Sequence, residues 1–264
     1  MKIDPANPIW QFRGLGLTAA IFFAYLYLPI VLLIGLSFNE NRLATIWSGF
    51  SLQWYGAVLG NPDIMRAAGN SLVVAGIATV IAVAAALLAA LAMTRGQFSG
   101  TTAMSGLLAL PLLVPEIVTA VATLLFFVAV GIQLGLLTVI IAHTVFCIPF
   151  AYLPIRARLE GMDSALGEAA ADLYASGWQT FRRVTLPLLW PGILSGAMLA
   201  FIISLDNFVI TYFVAGAGAT TLPVYIFGMI RIGITPEVNA ISALMLLVSI
   251  AFVSLSWLVG RWRG

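Results

Sequence analysis

The chain has 264 residues, 62% of them hydrophobic and only 8% charged, with a formal net charge of +2. Soluble domains carry about 25% charged residues, so this composition excludes an ordinary soluble fold and predicts an all-α integral membrane protein; the scattered bases offer no clustered face for nucleic acid. The only lysine, Lys2, lies in no Gly-Lys-Ser/Thr loop, so any ATP and its Mg must be bound by a partner, and the single His143 and Cys147 cannot build a zinc site or an internal disulfide.

Residues 1–13 are a polar lead-in with Pro5, Pro8, Trp10 and Arg13. The apolar run 15–36 has the roughly 20 residues that cross a bilayer. It ends in Ser37-Phe38-Asn39-Glu40, with no small-residue cleavage site, so a retained helix is expected. Residues 37–69 are polar and aromatic, with Trp47, Phe50, Trp54 and Tyr55 suited to an interface belt. A second span is predicted over 70–93, rich in Ala and Gly, which let helices approach closely. A short loop over 95–102 leads to a third span over 103–130, containing Pro111, Pro115 and Glu116, and a fourth over 134–155, containing His143 and Pro149. Residues 156–190 form a long polar interruption. A fifth span, 191–214, contains Asp206-Asn207, and a loop with Gly216, Gly218, Pro223, Arg231 and Glu237 leads to a sixth, 240–260. The whole chain, 1–264, reads as one transmembrane domain.

Six spans put both ends on one side. Lys2, Arg13, Arg95, Arg156, Arg158, Arg182, Arg183, Arg261 and Arg263 fall on that side, against Arg42, Arg66 and Arg231 on the other. The positive-inside rule therefore predicts cytoplasmic termini and a cytoplasmic 156–190 stretch.

Within that stretch Leu166, Ala170, Leu173 and Gly177 recur at helical spacing, with Glu168 and Asp172 on another face. A second amphipathic run starts at Trp178 and Phe181, and Arg182 and Arg183 lie near its end. A helix lying on lipid should be rich in Lys and Arg. The first run shows only acids, which points to a basic protein groove.

Glu168-Ala169-Ala170, followed by Val184-Thr185-Leu186-Pro187, resembles the coupling loop of permease subunits of type I bacterial ABC importers. The resemblance implies a helix-turn-helix seated in a groove of a cytoplasmic ATPase dimer, a homologous second permease that need not be identical, an extracytoplasmic solute-binding protein, and residence in the bacterial inner membrane. Tyr174 stands where the family has glycine, which moves the expected turn to Gly177. Phe50 to Tyr55 (FSLQWY) and Asn70-Ser71-Leu72 are similar to the same family. The stretch from Ser204, with Ser-Leu-Asp-Asn-Phe and later Thr-Thr-Leu-Pro, resembles the second permease subunit of spermidine/putrescine importers, with other small amines or amino-acid-like solutes as the alternative cargo.

Counted inward at about 1.5 Å per residue, Glu116, His143 and Asp206 lie about 20 Å from one face of a core about 30 Å thick, a common depth at which they could line one cavity. Each ionisable group there costs at least about 2.5 kcal/mol on insertion scales, so it needs a partner or a water path. Asp206, beside Asn207 and before Tyr212 and Phe213, offers an ammonium group a counter-charge and aromatic faces. Glu116 could equally cap backbone freed by Pro115, and His143 fits a hydrogen-bonded packing role.

Two other classes compete. A secondary transporter needs its own coupling-ion site and commonly shows repeat symmetry, for which the sequence gives no sign. A six-helix intramembrane serine protease would use Gly69-Asn70-Ser71-Leu72 and His143, but helical rise separates Ser71 from His143 by about 13 Å in depth, while a nucleophile and base must meet at about 3 Å.

Overall fold

The computed structural model describes residues 14–42, 46–95, 100–163, 165–233 and 235–261, with side chains at 15, 95 and 255–261 left aside. Lys2, Pro5, Pro8, Trp10, Arg13, Trp262 and Arg263 therefore lie outside the described residues, as do the side chains of Arg95 and Arg261. Among the described residues the secondary structure is helical, with one isolated bridge between Asn39 and Phe50. The chain divides into two compact units, Met1–Gly60 with Met229–Leu246 and Asn61–Gly228 with Leu247–Gly264.

In the first unit α1 (Leu15–Leu36) is apolar on every face and none of its span is buried. The interface-belt stretch that follows is organised around a buried asparagine. Asn39 Nδ2 donates to Ile46 O (2.7 Å), its Oδ1 accepts from Ser48 N (3.1 Å), and Trp54 Nε1 donates to Asn39 O (2.7 Å). Phe38 stacks on Phe50 at 5.2 Å, ahead of α2 (Gln53–Gly60).

The second unit is built on α3 (Pro62–Arg95), α6 (Leu136–Glu160) and α9 (Leu186–Asp206). Ala75, Ala78, Ala82, Ala86 and Ala90 form a stripe of wholly buried small residues down α3. On α9, Gly192 and Gly196 let α6 approach so closely that a Cβ at Gly196 would stand 2.7 Å from Ala151 O. Such small-residue faces allow dispersion contacts along whole helices where lipid offers no hydrophobic drive. Cys147, Ala151, Tyr152, Ile155, Leu189 and Ala200 fill the space between.

Two predicted spans are broken. The third is α4 (Thr101–Leu113) and α5 (Glu116–Val130), bent by 112°. Pro115 has no N–H and drives the preceding Val114 into extended backbone (φ −82, ψ 133), so α4 stops and α5 starts afresh at Glu116. The fifth ends at Asp206 and resumes as α10 (Val209–Val214), because Asn207 is extended (φ −68, ψ 112) and turns its side chain to other partners. The remaining ends also shift: the second span starts at Pro62, the fourth runs to Glu160, and the sixth is α12 (Pro236–Arg261), preceded by the short apolar α11 (Leu222–Ile232). Among the described residues five helices are long and apolar enough to cross a membrane, and the bent α4–α5 pair supplies the sixth crossing if it counts as one broken span.

The interruption over 156–190 is also more structured than a loop. It holds the end of α6, then α7 (Ala165–Asp172), α8 (Gly177–Thr180) and a π-helical turn Phe181–Thr185 that runs directly into α9.

Candidate functional site

The two helix breaks meet. Asn207 Nδ2 donates to Glu116 Oε1 (2.5 Å), joining the first residue of α5 to the gap between α9 and α10. Its Oδ1 accepts from Ile210 N (3.0 Å), which gives a partner to an N–H that the first turn of α10 leaves open. The Asn207 carbonyl accepts from Thr211 Oγ1 (3.3 Å). Thr211 Oγ1 also pairs with His143 Nε2 (2.8 Å), and His143 Nδ1 pairs with Ser204 Oγ (2.8 Å). Ser204, Asn207, Thr211 and His143 are all buried. A ring of hydrogen bonds thus closes around the α9–α10 break, tied to α5 by Glu116 and to α6 by His143.

This corrects the expectation that Glu116, His143 and Asp206 share one cavity. His143 is 1% exposed and spends both ring nitrogens inside the bundle. Asp206 is exposed, and among the described residues it has no hydrogen bond or ion pair. Of the two predicted aromatics, Tyr212 is 46% exposed and clusters with Phe208 (5.3 Å) and Phe227 (6.0 Å), themselves 4.7 Å apart. Phe213 packs instead against the buried Val139, Phe146 and Ile210 cluster. Ser204 and Phe208 lie in the Ser-Leu-Asp-Asn-Phe stretch that carries the resemblance, but Thr211 and Phe227 had no sequence signal of their own, since apolar and hydroxyl residues are ordinary in a span.

The protease arrangement is absent. Ser71 Oγ accepts from Leu222 N (2.8 Å) and Asn70 Nδ2 donates to Gly218 O (2.9 Å) and Thr220 O (3.0 Å), so this pair anchors the segment between α10 and α11.

In the polar segment, Asp163 Oδ1 accepts from Ala165 N (2.9 Å) at the start of α7. Glu168, Ala169 and Asp172 are exposed and Ala170 is buried, so the carboxylates point away from the bundle. The helix ends where Ala175 N donates to Ala170 O (3.0 Å) and Tyr174 N to Ala171 O (2.9 Å), the paired bonds of a Schellman turn. The left-handed residue this turn requires is Tyr174 (φ 56), not Gly177. Gly177 instead opens α8, where Ser176 and Gln179 form a reciprocal capping box. Arg182 and Arg183 are exposed, Val184 is half-buried and Thr185 buried in the π turn; Leu186 starts α9 and Pro187 takes its second position, where a missing N–H costs least. Arg158 Nε donates to Leu188 O (2.9 Å), fastening this segment to the end of α6.

The described residues thus form a membrane bundle with a broken span and a polar helix-turn-helix leading into α9. The chain belongs to the family described as binding-protein-dependent transport system inner membrane component, whose profile matches residues 82–264. It is similar to the spermidine/putrescine transport system permease protein PotC of Haemophilus influenzae, 42% identical over 241 residues, covering 91% of this chain and 94% of the relative. It is also similar to the putrescine transport system permease protein PotI of Escherichia coli, 39% identical over 231 residues, covering 85% and 82%. Among solved structures, a chain of a bacterial ABC transporter involved in the import of the acidic polysaccharide alginate superposes with a TM-score of 0.72 at 16% identity, covering 96% of this chain and 95% of that one. A chain of the MetNI methionine ABC transporter superposes with a TM-score of 0.65 at 20% identity, covering 81% and 100%. The fold is that of type I ABC importer permeases, and the chain is a transport permease subunit, not an enzyme.

Proposed function

We propose that this chain forms half of the membrane pathway of a polyamine importer, carrying putrescine, spermidine or both. The observation that carries the cargo assignment is the similarity, at 42% and 39% identity over most of the chain, to permeases named for those two amines. The chemistry of the α9–α10 break supports it. Asp206 is the last residue of α9, where the helix dipole already places partial negative charge. A carboxylate there is poorly suited to the protein alone and well suited to a passing ammonium group, with the rings of Phe208, Tyr212 and Phe227 following the break to offer π faces.

In this reading a homologous permease, most simply a different chain, completes the path, and an extracytoplasmic binding protein delivers and largely selects the solute. Residues 166–187 dock on a cytoplasmic ATPase dimer that binds ATP and Mg, with Glu168, Ala169, Ala170, Asp172, Tyr174, Gly177, Val184, Leu186 and Pro187 in or framing the docked surface. Both termini face the cytoplasm. The exposed, unpaired carboxylates of α7 meet basic groups of the ATPase.

The test is uptake of labelled putrescine in cells with and without this chain, competed by excess spermidine, γ-aminobutyrate and a neutral amino acid. Uptake that depends on the chain and is blocked by spermidine is expected. Unchanged putrescine uptake in cells expressing the assembled complex would move the cargo to another small solute. Asp206→Asn should lower uptake at least about tenfold, the scale of one lost charge-assisted contact, while leaving assembly intact.

A further inference from the structure

We infer that Glu116 is a positioning residue for Asp206: through Asn207 it fixes the break in the fifth span at which Asp206 is presented, and it does not itself meet the solute. The inference rests on the reading that Asp206 meets an amine.

Asn207 is the only residue between Asp206 and the aromatic Phe208, and every polar group of its side chain is used. Nδ2 is held by Glu116 and Oδ1 by the Ile210 N–H. Removing the Glu116 carboxylate frees Nδ2 in a site where Asn207 is only 7% exposed, and an unpartnered buried amide is costly enough to make the side chain seek another partner. The nearest change available is rotation of the Asn207 side chain. That takes Oδ1 away from Ile210, and both the start of α10 and the spacing between Asp206 and the Phe208–Tyr212 rings move with it. His143 holds the same break from the other side through Ser204 and Thr211, residues that bracket it in sequence. Asp206 is the polar residue in this stretch that the ring leaves out, as a group kept for a transient ligand would be.

Hydrogen bonding and charge can be separated. In the assembled transporter, initial rates of labelled putrescine uptake are measured across concentration for Glu116→Gln, Glu116→Ala, Asn207→Asp, the pair Glu116→Gln with Asn207→Asp, and Asp206→Asn. Glu116→Gln keeps an acceptor oxygen for Asn207 Nδ2, so apparent KM should stay within about twofold of wild type, whereas Glu116→Ala should raise it about tenfold with Vmax less affected. Asn207→Asp sets two carboxylates against each other and should cost at least about tenfold. The double variant keeps the Ile210 N–H bond to residue 207, restores the bond between positions 116 and 207 with donor and acceptor exchanged, and should return KM to within about threefold.

Glu116→Gln as impaired as Asp206→Asn would show that the Glu116 charge meets the solute and overturn the inference. So would a double variant no better than Asn207→Asp. Asp206→Asn with wild-type uptake would instead sink the solute role of Asp206, leaving the exchange arm to report on the Glu116–Asn207 pair. If Glu116→Ala fails to assemble, Glu116→Gln and the double variant, which keep the bonds, decide the question.

Discussion

Around Asn207, polar side chains are buried and bonded to one another across α5, α6, α9 and α10. Around Tyr174 they are exposed and bonded to neighbours a few residues away in sequence, Asp163 to Ala165 and Ser176 to Gln179, while the backbone N–H of Tyr174 donates to Ala171 O. Both regions interrupt an apolar chain with polar groups, but the surrounding medium reverses the meaning of an unpaired one. In the bilayer a polar group without an internal partner is costly; the Thr79 and Thr144 hydroxyls are buried without one, and the unpaired carboxylate of Asp206 is the charged case, which fits the proposed solute path. In water unpaired charges are ordinary, and Glu168, Asp172, Arg182 and Arg183 mark a surface that a partner can cover while the local caps keep its shape.

The largest effect should come from breaking the buried ring. His143→Leu keeps bulk but takes the partner from the Ser204 hydroxyl and leaves Thr211 only its bond to the Asn207 carbonyl, at about 2 kcal/mol. A lowered thermal midpoint of the purified complex, together with lost uptake, is expected; an unchanged midpoint would mean the ring contributes little to stability. Glu168→Arg tests the other side of the contrast. It should leave the midpoint unmoved and weaken ATPase association more than tenfold, since a like-charge clash in a docked surface costs several kcal/mol. Full ATP-driven uptake with normal complex formation in this variant would remove the docking role from α7.

Ser176→Ala is smaller and local. It deletes the cap of α8, worth about 1 kcal/mol, and should speed amide hydrogen exchange at Gln179 and Thr180 about fivefold without reaching α9. Propagation of the effect into α9 would show that the segment is braced by the bundle and not by its own caps.

How far these regions could be read in the sequence follows from the same contrast. The coupling segment was legible because its order is local: periodicity, the acids and Pro187 all act within a few residues. The helix breaks were not. Pro29, Pro149, Pro154 and Pro191 all sit inside continuous helices, so Pro115 alone could not announce a 112° bend. What distinguishes it is the helix start at Glu116 and its bond to a residue 91 positions away. The break at Asn207 is signalled only by the resemblance of Ser-Leu-Asp-Asn-Phe to the turn of helix five in spermidine/putrescine permeases, not by periodicity, because partners that hold it come from α5 and α6. Asn39 hides for a related reason: an asparagine in a polar loop looks solvated until its carbonyl and side chain are seen to be spent on Ile46, Ser48 and Trp54.

Tyr174 is a place in the polar segment where local reasoning failed, and it yields the smallest prediction. Left-handed backbone at a helix C-terminus favours glycine because a Cβ there crowds the following carbonyl, which is why the sequence points to Gly177 for the turn. The chain places it at Tyr174, whose side chain is 97% exposed and so takes no packing in return. Tyr174→Gly should therefore stabilise the segment by about 1 kcal/mol, seen as slower hydrogen exchange in α7 and at most a small rise in the thermal midpoint. Tyr174→Ala keeps the strain and removes the ring, so it isolates what the side chain does. If Ala and Gly both weaken ATPase association, the ring is a docking contact and the strain is the cost of presenting it. If neither does, the tyrosine is idle, and the contrast with Asp206 sharpens: an unpaired charge in the membrane is costly enough to call for a partner, while an exposed group in water needs none.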